Sequence, residues 1–180
     1  DLITDRATSF IERNAGRPFF IDVAYNAPHW PYQRPDKPSV SVGNARHLMP
    51  GDSGTSTRAD YVTMVERVDR GVGDLLRTID RLGIARNTIV IFTSDHGWQM
   101  GEKDYLYKNS LWQESTRIPL AIRAPGVAKA GGRCPRPVSL IDLYPTLLDL
   151  CGLPIEPQPA VEMIGRLAAP AWLVLFAGTA

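Results

Sequence analysis

With 180 residues, 44% hydrophobic and 22% charged, the chain has the composition of one globular domain with a substantial core, which excludes disordered and collagen-like classes. Its 20 basic and 19 acidic residues are mixed along the chain and leave a net charge of +1, so no global field recruits nucleic acid or a membrane surface. Any anion binding must be local. Cys134 and Cys151 match neither a disulfide framework nor a zinc pattern.

The chain starts on Asp1 with no basic n-region or apolar h-region, which reads as a start inside a longer protein with no visible signal peptide. Ile3, Ala7, Phe10 and Ile11 recur at helical spacing and predict a first helix, followed by a turn at Gly16 and a strand in "PFFIDVAY". From Asn26 to Thr57 five prolines, Pro28, Pro31, Pro35, Pro38 and Pro50, predict a long irregular loop, a kind of segment that often carries function. Between Arg58 and Leu82 a stripe of Tyr61, Val65, Val68, Val72, Leu75, Leu76, Ile79 and Leu82 predicts an amphipathic helix packed on a core, closed by Gly83 and Asn87.

The β-branched run "TIVIF" then reads as a strand buried on both faces, and Ile118–Gly126 as a second one. "NSLWQESTRIPL" looks like a helix leading into that strand, and Ser139–Gly152 like a closing helix. Helices alternating with doubly buried strands predict an α/β fold with a largely parallel sheet, whose sites form where loops leave the carboxyl ends of strands. The apolar stretch Leu167–Gly178 is interrupted by Pro170 and too short to span a bilayer.

Two such loops carry unusual residues. After "TIVIF" comes "TSDHGWQMGEKDYLYK", in which Asp95 and His96 offer an oxygen and a nitrogen donor for a divalent cation, provided Gly97 ends the strand and turns the chain. A strand that continued would send neighbouring side chains to opposite faces. On "DHG" alone, an ordinary turn is the commoner meaning. Lys103 and Lys108 default to solvated charges, and become anion ligands only beside a metal. In "NAPHWP", His29 follows the first strand between two stiffening prolines, either as a site residue or as a loop histidine stacked on Trp30.

Taken together, these segments resemble the sulfatase family of the alkaline phosphatase-like superfamily. "PFFIDVAYNAPHWP" is similar to its strand ending in Pro-His-x-Pro, "YVTMVERVDRGVGDLLRTIDRLG" to its long helix, and "NTIVIFTSDHGWQMGEKDYLYKNSLWQESTRIPLAIRAPG" to its second metal segment with the following lysine. "VSLIDLYPTLLDLCGLP" resembles the helix after that. The resemblance implies a sulfuric ester hydrolase of alkaline phosphatase-like α/β architecture. It further implies that Asp95 and His96 ligate a divalent metal, most simply Ca²⁺, and that His29 and Lys108 contact the sulfate group, with Lys103 nearby. A sulfated small molecule or sulfated carbohydrate is the implied substrate, with no nucleic acid, and a periplasmic, secreted or lysosomal setting is the implied location.

The departures are equally specific. The family's nucleophile, a formylglycine made from the first residue of Cys-x-Pro-x-Arg or Ser-x-Pro-x-Arg, has no counterpart: Cys134 is followed by "PRPV" and Cys151 by "GLPI". The acids expected on an earlier strand are missing as well. Residues 1–154 therefore read as the later part of a sulfatase catalytic domain and 155–180 as a divergent or frame-shifted tail. The expectation follows that the isolated chain is inactive, with the edges of "TIVIF" left unpaired and prone to aggregate. Two alternatives remain: a phosphoesterase or phosphonate hydrolase of the same superfamily, using zinc or manganese, and a non-catalytic remnant.

Overall fold

A computed structural model of the chain describes residues 2–36, 57–104, 106–154 and 172–177. The predicted first helix is α1, Leu2–Asn14, and the first strand is β1, Phe19–Ala24. The long stripe forms α2, Arg58–Arg81. Its start is fixed by a capping box, in which the Thr57 amide donates to Asp60 Oδ2 at 2.8 Å and the Asp60 amide to Thr57 Oγ1 at 3.3 Å. Its end is fixed by Gly83, whose φ of 72° lets the Gly83 and Ile84 amides turn back onto the Asp80 and Ile79 carbonyls.

"TIVIF" lies within β2, Thr88–Thr93. A short hairpin follows, β3 at Gln99–Met100 and β4 at Leu106–Tyr107, then a single helical turn, α3, Gln113–Thr116. Strand β5 spans Leu120–Arg123, helix α4 spans Leu143–Leu150, and β6 spans Trp172–Ala177. Of the predicted long loop, residues 37–56 lie outside the described residues. The helix expected in "NSLWQESTRIPL" amounts to α3 alone.

Helices α1 and α2 pack side by side on one face of the sheet, where the core joins Ala7, Ile11, Val68, Leu75 and Ile79 to Phe19, Val23, Tyr25 and Val90. Those strand residues alternate because successive side chains leave opposite faces, so Phe20 on the other face of β1 is 53% exposed. Phe10 meets Phe19 edge to face at 5.9 Å. A buried glycine, Gly71, lets α2 close on the Thr4–Tyr25 hydrogen bond of 3.0 Å; a Cβ there would stand 2.6 Å from both side-chain oxygens.

The sheet corrects the expectation of a largely parallel arrangement. Its order is β1-β6-β2-β5 and each neighbouring pair is antiparallel. The physical reason is the position of β6: it runs between β1 and β2 and opposite to both, so those two strands are parallel to one another without touching. Strand β5 is also not doubly buried, because it forms an edge and leaves Leu120 and Ile122 more than a third exposed. Nor does β2 present unpaired edges, since β6 and β5 flank it.

Register places the site. Trp172 of β6 pairs with Ala24 on one side and Thr93 on the other, so the carboxyl ends of β1 and β2 are level, about 10 Å apart across one intervening strand. The loops bearing His29 and Asp95 therefore start side by side at one edge of the sheet.

Candidate functional site

After Thr93 the chain leaves the sheet at once, and the backbone from Ser94 to Gly97 is held by its own side chains. Ser94 Oγ donates to the His96 carbonyl at 2.8 Å, and the His96 amide donates to Asp95 Oδ1 at 2.9 Å. That contact occupies one carboxylate oxygen of Asp95 and leaves Oδ2 facing the imidazole, 3.4 Å from His96 Nε2. Asp95 and His96 thus share one side of the chain because the strand has ended there.

The imidazole's tautomer follows from its partners. Nδ1 lies 2.8 Å from the Gly97 carbonyl, which can only accept, so Nδ1 carries the hydrogen. Nε2 then presents a lone pair, and Lys108 Nζ, a donor only, points to it at 2.9 Å. A backbone carbonyl on one ring nitrogen with a lone pair on the other is the usual support of a metal-binding histidine. Asp95 and His96 side chains are 22% and 27% exposed, so an ion can reach both.

Hairpin β3/β4 delivers Lys108. Pairing of Gln99 with Tyr107 brings the chain back beside its starting point, through a turn in which Gly101 has φ of 106° and Lys103 φ of 58°. Glu102 Oε2 accepts the Met100 amide at 2.5 Å, and this bond holds its carboxyl below the ordinary glutamate value. On the same turn, Lys103 Nζ stands 5.2 Å over the Trp112 ring.

His29 lies at the same edge, reached through aromatic packing. Its ring centroid is 6.5 Å from that of Trp98, two residues beyond His96, and its Nδ1 lies 2.6 Å from the Trp30 carbonyl. The ring thus meets Trp98, while its nitrogen meets the Trp30 backbone. Tyr32, 2% exposed, fixes the loop: its ring meets Trp98 at 6.4 Å and Tyr61 of α2 at 5.3 Å. Arg34 then ties the loop to α2 through an ion pair with Asp60 at 3.0 Å. Trp98, Gln99, Tyr32 and Arg34 went unnoticed in the sequence, where a lone aromatic or polar residue in a loop carries no periodic signal.

As a metal site the pair is partial. Asp95 and His96 supply two converging donors, and among the described residues no group of three or more His, Cys, Asp or Glu side chains gathers. An acid oxygen and an imidazole nitrogen suit a divalent ion, which would need further donors beyond these two.

The carboxyl edge of this α/β layer thus offers an acid, a tautomer-fixed imidazole and a lysine side by side, where loops leave the strand ends. This chain belongs to the sulfatase family: the Sulfatase family model matches residues 1–153. It is 32% identical over 173 residues to steryl-sulfatase of Mus musculus, a match covering 89% of this chain and 26% of that protein. With arylsulfatase K of the same species it shares 39% identity over 101 residues, 56% of this chain and 18% of the relative. Among solved structures, the crystal structure of Ps i-CgsB superposes with a TM-score of 0.68 at 30% identity, over 94% of this chain and 36% of that one. The same protein is also solved in complex with k-i-k-neocarrahexaose. The chain therefore spans about a quarter of the length of steryl-sulfatase and about a third of Ps i-CgsB.

Proposed function

We propose that the protein at its full natural length hydrolyses sulfate esters, and that this chain contributes the charge-handling part of the active site. The observation that carries the reading is the convergence of Asp95 Oδ2, His96 Nε2 and Lys108 Nζ at one strand edge of a sulfatase-family domain. In this reading Asp95 and His96 hold a divalent ion, most simply Ca²⁺, which supplies positive charge to a sulfate oxygen. Lys108 donates to a sulfate oxygen as a point charge, and His29 does so from the β1 side. Negative charge that develops on the sulfuryl oxygens and the leaving oxygen thus meets fixed donors. Attack on sulfur needs a nucleophile that none of these residues provides, and the reading assigns it to a formylglycine outside this chain.

A sulfated carbohydrate is the favoured substrate, supported by the hexaose bound to the similar protein Ps i-CgsB. The names of the relatives weigh against the phosphoesterase alternative. Among the described residues no helix is long and apolar enough to cross a membrane.

The test offers the full-length protein an aryl sulfate and the matching aryl phosphate, with Asp95→Asn and Lys108→Met variants as controls. Sulfate-ester turnover lost in both variants is expected. Preferential phosphate turnover, or sulfate turnover untouched by the substitutions, overturns the reading.

A further inference from the structure

The two arms of the site are cross-linked by a buried polar cluster to which no role has been given. Gln99 is fully buried, an unusual place for an amide. Its Nε2 donates to Ser110 Oγ at 2.6 Å and lies 3.3 Å from Ser115 Oγ, and the two serine oxygens are 2.9 Å apart. Ser110 Oγ also receives the Trp112 amide at 3.4 Å, so its own hydrogen goes to Ser115 Oγ. Gln99 Oε1 has no hydrogen-bond partner among the described residues. A buried amide left half satisfied is a poor way to add stability, since an apolar side chain of similar shape would fill the space without that cost.

Position is what the cluster does secure. Gln99 lies three residues after His96, on the arm that carries the imidazole. Ser110 lies two residues after Lys108, and its amide donates to the Lys108 carbonyl at 2.8 Å. Ser115 closes the loop from the other side, because its carbonyl accepts the Gly97 amide at 2.8 Å. At Gly97 the arms touch: a Cβ would stand 2.0 Å from the Glu114 carbonyl oxygen. A lysine side chain has four rotatable carbons, so the 2.9 Å approach of Nζ to His96 depends on where this cluster holds the Lys108 backbone.

We propose that Gln99, Ser110 and Ser115 act as a positioning clamp that sets the distance between Lys108 and His96, and with it the affinity of the site for a sulfate oxyanion. This rests on the sulfate-ester reading above. The three are positioning residues, acting through Lys108 rather than on substrate.

The experiment measures inhibition of aryl sulfate hydrolysis by inorganic sulfate in the full-length protein, alongside its melting temperature. The inhibition constant reads only correctly folded, active molecules, so a merely structural defect leaves it unchanged. Ser110→Ala and Gln99→Leu should each raise the inhibition constant about five- to tenfold, a change on the order of 1 kcal/mol. Ser110→Thr keeps the hydroxyl and should stay within about twofold of the parent. If Gln99→Leu does not fold, the Ser110 pair still decides. A working parent enzyme with unchanged inhibition constants in Ser110→Ala overturns the clamp alone. A parent that neither turns over sulfate esters nor responds to sulfate overturns the functional reading, and the clamp with it.

Discussion

Lys108 Nζ stands 2.9 Å from His96 Nε2 although twelve positions separate the residues, and hairpin β3/β4 closes that gap. A cationic donor on one side thus meets a lone pair on the other. Replacing Lys108 by Met keeps the length of the stem and removes the charge. In the full-length enzyme this should lower kcat for an aryl sulfate by about 10²–10³-fold, the usual loss for one donor to a developing oxyanion. A steady-state assay checks it, and a loss under about threefold would place Lys108 outside the site.

One contact of the hairpin depends on a titratable group, the Glu102 carboxyl. Glu102 accepts the Met100 amide, and that bond, the largest influence, lowers its folded pKa below the ordinary 4.5. For a depressed carboxyl the stabilisation is fully present above the unfolded value and is lost as pH falls through the folded one. The Met100 amide resonance should therefore move with a midpoint below the ordinary glutamate value in an NMR titration. Glu102→Gln should abolish the movement, and a midpoint at or above 4.5 would contradict the hydrogen bond.

At the other arm, Asp60 serves two structures at once. Its side chain, 1% exposed, caps α2 through Thr57 and pairs with Arg34 of the His29 loop at 3.0 Å. Asp60→Ala removes the cap and leaves the guanidinium without its nearly buried partner, which should cost about 2–4 kcal/mol. Chemical denaturation measures the cost. Asp60→Asn, which preserves the cap geometry, should lose less, and equal losses would assign the whole effect to the charge paired with Arg34.

The helices and strands were legible wherever one physical rule acted alone. The stripe Val68, Val72, Leu75 and Ile79 reads as a helix because each residue faces the same sheet, and "TIVIF" reads as a strand because β2 lies inside that sheet. Asp95, His96 and Lys108 were legible as a resemblance, while their approach depended on two-residue strands too short to show a period. The sheet's direction was not legible, because β6 belongs to the tail beyond the family match and its place between β1 and β2 is a long-range pairing. The contact of Lys103 with the Trp112 ring shows the same limit, since no periodic pattern in the sequence announces it.

The insertion of β6 leads to a prediction about solubility. Truncation after Pro154 would strip β1 and β2 of the partner each now has at positions 172–177 and leave two long apolar strands with open edges. The chain ending at Pro154 should sediment or elute as aggregates at concentrations where the 180-residue chain remains dispersed. Equal behaviour of the two, followed by light scattering, would show that β1 and β2 do not depend on β6 for pairing.

Gly71 offers a test of the core that leaves the site alone. It sits on the buried face of α2 where the helix meets the Thr4–Tyr25 hydrogen bond, and a Cβ there would approach both oxygens to 2.6 Å. In an open helix Gly→Ala stabilises, because glycine has more conformational freedom to lose. Here the added methyl meets two polar atoms that are themselves held in the core, so either α2 moves outward or the 3.0 Å bond breaks. Overpacking of this kind costs about 1–3 kcal/mol and outweighs the propensity gain of about 1 kcal/mol. Gly71→Ala should therefore lower the denaturation midpoint. The double variant Gly71→Ala with Thr4→Ala, which removes one of the two colliding oxygens, should recover part of the loss relative to Thr4→Ala alone. A single Gly71→Ala variant more stable than the parent would mean that α2 and α1 do not close on Tyr25 as described.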